Sequence, residues 1–223
     1  MLSTVRRILK AVHPAGIPWP GSFIYNAISK TEIFQSLYEE VAEDIISRCP
    51  EGSILDIGTG PGFLLIKLNR LNPGLQLTGL DISLAMVLTA RRNVGDAGMS
   101  GIEIREGAAG NLPFPYSVFD AVVSTGSFHH WKDYEAGLNE VYRVLKPGGR
   151  ALIYDIVSDI PESVLKDMSA RYGRLRTALF RLHTFEEPFH SSEGLAAAAR
   201  SSLFGEGRVR FVSVLCCLEM IKS

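Results

Sequence analysis

One stretch constrains this chain more than any other: Ile54-Leu55-Asp56-Ile57 runs directly into Gly58-Thr59-Gly60-Pro61-Gly62 and then into Phe63-Leu64-Leu65-Ile66. A short apolar run that stops at alternating glycines and reopens as a helical pattern is a buried strand turning tightly into a helix. Glycine is needed where the backbone takes positive φ or where a ligand must touch the main chain. The helix start beyond it offers unpaired N–H groups. A merely tight turn needs one glycine, so three predict a nucleotide-type pocket at the end of this strand.

The surrounding pattern supplies a sheet for that strand. Strands are expected at 53–57, 75–80, 102–105, 119–124 and 150–157, with helices at 62–71, 83–94 and 133–145 between them. Strand–helix alternation at this spacing predicts an α/β doubly wound, mostly parallel sheet covered on both faces. Ser29-Lys30-Thr31-Glu32 has the form of a capping box ahead of a helix over about 31–48, with Ile33, Leu37, Val41 and Ile45 as its apolar face. Beyond the fifth strand, 161–182 reads as one helix with a seam of Leu165, Met168, Tyr172, Leu175 and Leu179. A helix over about 192–204 leads into 208–222, which reads as one or two closing strands without an obvious turn residue.

Charge and cysteine content exclude several classes. Lys+Arg 23 against Asp+Glu 24 leaves a net charge of −1, so no bulk positive field points to nucleic acid as a partner. Three cysteines, Cys49, Cys216 and Cys217, cannot form a disulfide framework and stand at no metal-ligand spacing. A cytoplasmic protein without a metal site is expected. No run of 18 or more apolar residues predicts a membrane span. Residues 1–13 form a basic amphipathic segment, expected to fold over the pocket or onto a partner.

The nucleotide follows from spacing. The dinucleotide fingerprint is G-x-G-x-x-G, whereas here the glycines run G-x-G-x-G and Phe63 takes the sixth place. With an acid, Asp56, just before them, the motif resembles that of the class I S-adenosylmethionine-dependent methyltransferases, in particular the group that includes the quinone C-methyltransferases. The resemblance spans about residues 35–157. It includes Leu77-Thr78-Gly79-Leu80-Asp81-Ile82-Ser83, Glu106-Gly107-Ala108-Ala109-Gly110-Asn111-Leu112-Pro113-Phe114, the strand and loop Phe119 to Trp131, and Val144-Leu145-Lys146-Pro147-Gly148-Gly149-Arg150.

The resemblance implies a seven-stranded Rossmann-like methyltransferase fold with S-adenosyl-L-methionine as cofactor. It implies that the cofactor lies against Asp56, Gly58, Thr59, Gly60, Gly62, Phe63, Asp81, Ile82, Ala108, Ala109 and Thr125. Asp81 would accept hydrogen bonds from the two ribose hydroxyls, which a charged group does more strongly than a neutral one. The family's acid at the third motif is Ala108 here. The adenine amino group is then left to backbone near Ala108 and Ala109, to water, or to another side chain.

A sulfonium methyl is already activated, so the protein has chiefly to align the reactants and exclude water. His129 and His130, in the loop after the fourth strand, are the candidate catalytic pair, with loop anchoring as the structural alternative. The acceptor, a small or lipophilic molecule, is expected among Phe23, Tyr25, residues 129–131, the 161–182 helix, His183 and His190. A single domain is expected, with an arm (1–30), a cofactor-binding core (31–157), a helical cover (158–190) and a closing helix and strands (191–223). The cover roofs the acceptor pocket or, alternatively, forms a homodimer contact. Two competing functions are a nucleoside-binding protein without catalysis, suggested by Ala108, and an NAD-dependent oxidoreductase, disfavoured by the glycine spacing.

Overall fold

The computed structural model describes residues 26–27, 29–178, 180 and 189–223. The elements in chain order are α1 (Glu32–Arg48), β1 (Ser53–Ile57), α2 (Phe63–Leu71), β2 (Gln76–Asp81), α3 (Leu84–Asp96), β3 (Glu103–Glu106), β4 (Phe119–Thr125), α4 (Tyr134–Val144), β5 (Leu145–Asp155), α5 (Glu162–Tyr172), α6 (Ser192–Ser201), β6 (Arg208–Val212) and β7 (Leu215–Ile221). The sheet has seven strands in the order β3-β2-β1-β4-β5-β7-β6. Strands β1 to β5 are parallel, and β7 runs antiparallel to both β5 and β6. Chain order reverses between β1 and β4, which is where an open α/β sheet opens a ligand crevice beyond its strand ends.

Near-continuous apolar strands follow from covering both faces. One core joins Val41 and Ile45 of α1, Leu64 and Leu68 of α2, and Val87 and Val94 of α3 to one sheet face. The other packs Leu138 and Val141 of α4 and Leu195 and Ala199 of α6 on the opposite face. Cys217 falls in the first core and Cys216 in the second, as strand alternation requires. All three cysteines are free and buried.

Two local expectations are corrected, and the alternative left open for the closing segment is resolved. The capping box at Ser29 does not form: Thr31 is the N-cap of α1, and the buried Ser29 hydroxyl has no partner. The 161–182 helix is broken, because Gly173 takes φ +89 and its N–H closes α5 on the Ser169 carbonyl before residues 174–178 turn helical again. Leu165 and Met168 of the proposed seam are buried, whereas Leu175 is 75% exposed and Leu179 lies outside the described residues. The closing segment is a hairpin whose turn places Ser213 at φ +52. The N-terminal arm with Phe23 and Tyr25, and also His183, lies outside the described residues.

Candidate active site

The C-terminal edge of the sheet gathers the motifs. Asp81 ends β2 opposite Glu106 at the end of β3, Asp56 sits between Gly79 and Val123, and Thr125 and Asp155 end β4 and β5. The glycine turn takes φ +72 at Gly58, +52 at Gly60 and +80 at Gly62, all in the range that side chains avoid. A Cβ added to Gly58 would stand 2.3 Å from Ser127 Oγ. The loop after β4 therefore rests directly on this turn, and the Ser127 hydroxyl also donates to the Ile57 carbonyl (3.1 Å).

Asp81 braces the crevice from two sides. Gly60 N–H donates to its Oδ2 (2.9 Å) and Ser83 N–H to its Oδ1 (2.9 Å). Burial raises its pKa, and the two backbone bonds oppose the rise. These backbone bonds leave room for a ligand, since each carboxylate oxygen keeps a further acceptor position. Asp56 is 2% exposed. Burial pushes its carboxyl up to about 7, against a lowering contact from the Thr59 hydroxyl, and the charge of Asp81 adds to the rise.

The cavity here is lined by Tyr38, Asp56, Gly58, Thr59, Gly60, Pro61, Leu64 and Thr125. Asp56 Oδ1, Thr59 Oγ1 and Thr125 Oγ1 are buried around it; the Thr59 hydroxyl faces the Asp56 carboxyl closely enough to lower its pKa, and Thr125 Oγ1 has no hydrogen-bond partner among the described residues. Buried polar atoms ordinarily have partners, and leaving one without costs about 1–3 kcal/mol. A buried carboxyl, two buried hydroxyls and a glycine cradle fit a polar ligand end that carries an ammonium group, such as the amino-acid moiety of S-adenosylmethionine. Phe63 opens α2 and packs against Tyr38 (6.3 Å between rings), while Ile82 is 44% exposed at the rim. Ala108 and Ala109 lie beside the end of β3, where Gly107 N–H donates to the Asp81 carbonyl (3.0 Å). The loop beyond them is held from α4: Glu140 accepts from Leu112 N–H (2.7 Å), and Arg143 donates to the carbonyls of Leu112 and Phe114.

The two histidines differ. His129 Nδ1 faces both oxygens of Asp155 (2.9 and 3.0 Å), and its backbone N–H donates to Asp155 Oδ2 (2.8 Å). His130 is exposed, with its ring 3.9 Å from that of His129. Asp155 escaped the sequence reading because its partner is 26 residues away. The available clue was an acid at the crevice end of a strand. His190 also reaches this cluster, packing on Phe128 and Tyr134.

The 158–190 excursion leaves and returns at one place, with Ser158 N–H donating to the His190 carbonyl (2.9 Å) and Ser192 bonded to Asp159. Phe189 caps the His129 ring at 4.7 Å. Arg171 of α5 bonds Ser36 (2.7 Å) and Glu40 of α1, which flank Tyr38 of the cavity. Among the described residues there is no cluster of three or more metal-ligating side chains, and no helix is long and apolar enough to cross a membrane.

This sheet order with its glycine turn and strand-end acid defines a nucleotide-binding α/β protein of methyltransferase type. Residues 55–153 match the family model described as a methyltransferase domain. The chain is 33% identical over 135 residues to the uncharacterized methyltransferase YdaC of Bacillus subtilis, covering 60% of this chain and 72% of that one. It therefore belongs to the class I S-adenosylmethionine-dependent methyltransferases, with S-adenosylmethionine as cofactor and not NAD. It is 42% identical over 104 residues to a demethylmenaquinone methyltransferase of Thermus thermophilus, covering 46% of each chain. The chain thus matches about half the length of that quinone enzyme. The fold is shared with an S-adenosylmethionine-dependent methyltransferase from Aquifex aeolicus (TM-score 0.67, 20% identity, 85% of this chain and 93% of that one).

Proposed function

We propose that this protein transfers the methyl group of S-adenosylmethionine to a small, lipophilic aromatic acceptor held between the loop after β4 and the 158–190 excursion. The observation that carries this reading is the set of buried polar side chains, Asp56, Thr59 and Thr125, lining a cavity beside the glycine turn, together with the free acceptor positions of Asp81. When bound, the cofactor supplies an electrophilic methyl on a sulfonium. The chain's own residues bind and orient. Asp56 and the glycine turn take the amino-acid end, with Asp56 against its ammonium group, Asp81 takes the ribose, and Ala108, Ala109 and Ile82 border the adenine.

On the acceptor side, Phe189 over the His129 ring offers an aromatic surface, with Phe128, Trp131, Tyr134 and His190 packed behind it, and the bond from Arg171 to Ser36 supports α5 as a roof. Quinone ring systems are the acceptors of the demethylmenaquinone methyltransferase that this chain resembles, and a flat apolar ring suits these walls. His129 serves as the base, with His130 at the rim. Native mass spectrometry of the purified protein tests the cofactor. A retained mass of S-adenosylhomocysteine or S-adenosylmethionine is expected, and a retained dinucleotide contradicts the reading.

A further inference from the structure

We infer that Asp155 is a positioning residue that fixes His129 with its proton on Nδ1 and its lone pair on Nε2, so that His129 takes a proton from the acceptor, which for the flat aromatic acceptor of this reading is a phenol or hydroquinone O–H. This rests on the methyl-transfer reading above. Asp155 is 1% exposed and accepts from three donors: the backbone N–H of His129 (2.8 Å), the backbone N–H of Ile156 (2.8 Å) and the His129 ring. A carboxylate only accepts hydrogen bonds, so the ring nitrogen facing it must carry the proton. In a neutral imidazole the other nitrogen is then the base. Among the described residues every hydrogen bond of His129 goes to Asp155, through Nδ1 or the backbone N–H, which leaves Nε2 available.

Anchoring the loop alone requires less than this. The backbone bond from His129 to Asp155 and the packing of Ser127 on Gly58 already hold the chain after β4. The ring contact adds orientation of the base beside the turn that holds the cofactor. An acceptor that reacts through a lone pair already free, such as a thioether or selenide, has no use for such a base. A phenol or hydroquinone does. Its O–H proton passes to His129 Nε2, and the released electron pair, on oxygen or on the conjugated ring carbon, forms the new bond to the methyl carbon. The carbon–sulfur pair stays on sulfur, which becomes a neutral thioether. The imidazolium returns its proton to water, as does a ring carbon that rearomatises.

The test uses the full chain with 15N-labelled histidine, S-adenosylhomocysteine, and three hydroxyl probes: menadiol, catechol and 1,4-dihydroxynaphthalene. Dimethyl selenide is the acceptor with no proton to lose. Calorimetry with S-adenosylhomocysteine comes first, because failure of the wild type to bind it defeats the cofactor reading itself. With binding intact, the long-range 1H–15N spectrum of the wild type is expected to show His129 as the Nδ1–H tautomer. Asp155→Asn should lose that signature and Asp155→Glu should regain it.

With a hydroxyl probe, Asp155→Asn and His129→Gln should each lower kcat about 100-fold, with KM and S-adenosylhomocysteine affinity within about twofold of wild type. Asp155→Glu should recover most of the rate, and the relative rates with dimethyl selenide should not follow this order. The rising limb of kcat against pH should vanish in His129→Gln. The other titratable groups around the pair, His130, Tyr134, Asp159, His190 and Cys216, remain in that variant and cannot account for its loss. A wild-type Nε2–H ring, variant rates within about threefold of wild type, or no hydroxyl probe methylated by a wild type that binds S-adenosylhomocysteine would each overturn the inference. His129→Gln keeps the buried carboxylate, so it reports even if Asp155→Asn does not fold.

Discussion

The cofactor half of the crevice and the acceptor half are built by different means. Around β1 and β2 the site is backbone: three glycines at positive φ, the helix start they lead into, and one strand-end acid accepting from two N–H groups. Around β4 and β5 it is side chains from distant places: a histidine on an aspartate 26 residues away, an aromatic cluster, and an excursion that returns to its point of departure. Backbone geometry demands particular residues at fixed local spacing, whereas a side-chain pocket is satisfied by many combinations. A cofactor common to many relatives is met by the first kind of site, and an acceptor that differs among them by the second.

The sharpest way to break this contrast is at the glycine turn. Gly58→Ala places a Cβ against Ser127 at φ +72. It should cost about 3 kcal/mol in stability or cofactor binding from left-handed strain and overpacking together, read by thermal unfolding and calorimetry. The same added methyl at Gly110, which has open space around it, should do far less.

Next in size is the pH dependence set by Asp56. Its carboxyl, pushed from 3.8 to about 7 by burial, holds a proton in the folded protein that the unfolded chain has already released. Stability without cofactor should therefore fall as pH rises from about 4 to about 7, and level off above. An ammonium group of the amino-acid end placed against Asp56 favours the ionised form, so affinity for S-adenosylhomocysteine should rise through the same pKa, by at most about tenfold per pH unit below it. Asp56→Asn should flatten both curves.

Ala108→Asp sharpens the comparison from within the cofactor half. It restores an acceptor beside the end of β3 and should tighten S-adenosylhomocysteine by roughly 1 kcal/mol, measured by calorimetry. Loss of binding would mean that this loop, clamped by Glu140 and Arg143, no longer takes the adenine. The smallest effect is expected far from the crevice. Ser213→Gly relieves a left-handed residue in the β6–β7 turn and should raise stability by about 0.5–1 kcal/mol in denaturant titration.

The same contrast governs what could be read from residue order. Strands β1 to β4 and helices α2 to α4 were legible to within a residue or two, because apolar runs and glycine turns are local. The glycine turn and Asp81 were legible for the same reason. Ser29 matches a capping pattern by spacing alone, and the N-cap falls two residues later, at Thr31. The hairpin turn stayed hidden because Ser213 adopts a conformation usually left to glycine or asparagine. The single helix expected over 161–182 runs across Gly173, whose positive φ ends α5. Asp155 was invisible because no local spacing links β5 to the loop after β4.

The central claim is that the glycine turn and Asp81 form an adenosyl-cofactor site. Titration calorimetry of S-adenosylhomocysteine into the wild type and Asp81→Ala tests it most directly. Removing Asp81 takes away a charge-assisted ribose contact, worth about 1.5–3 kcal/mol, and the two braces to Gly60 and Ser83. The account predicts one binding site in the wild type and an affinity at least about tenfold weaker in the variant. Equal affinity in both proteins would contradict it.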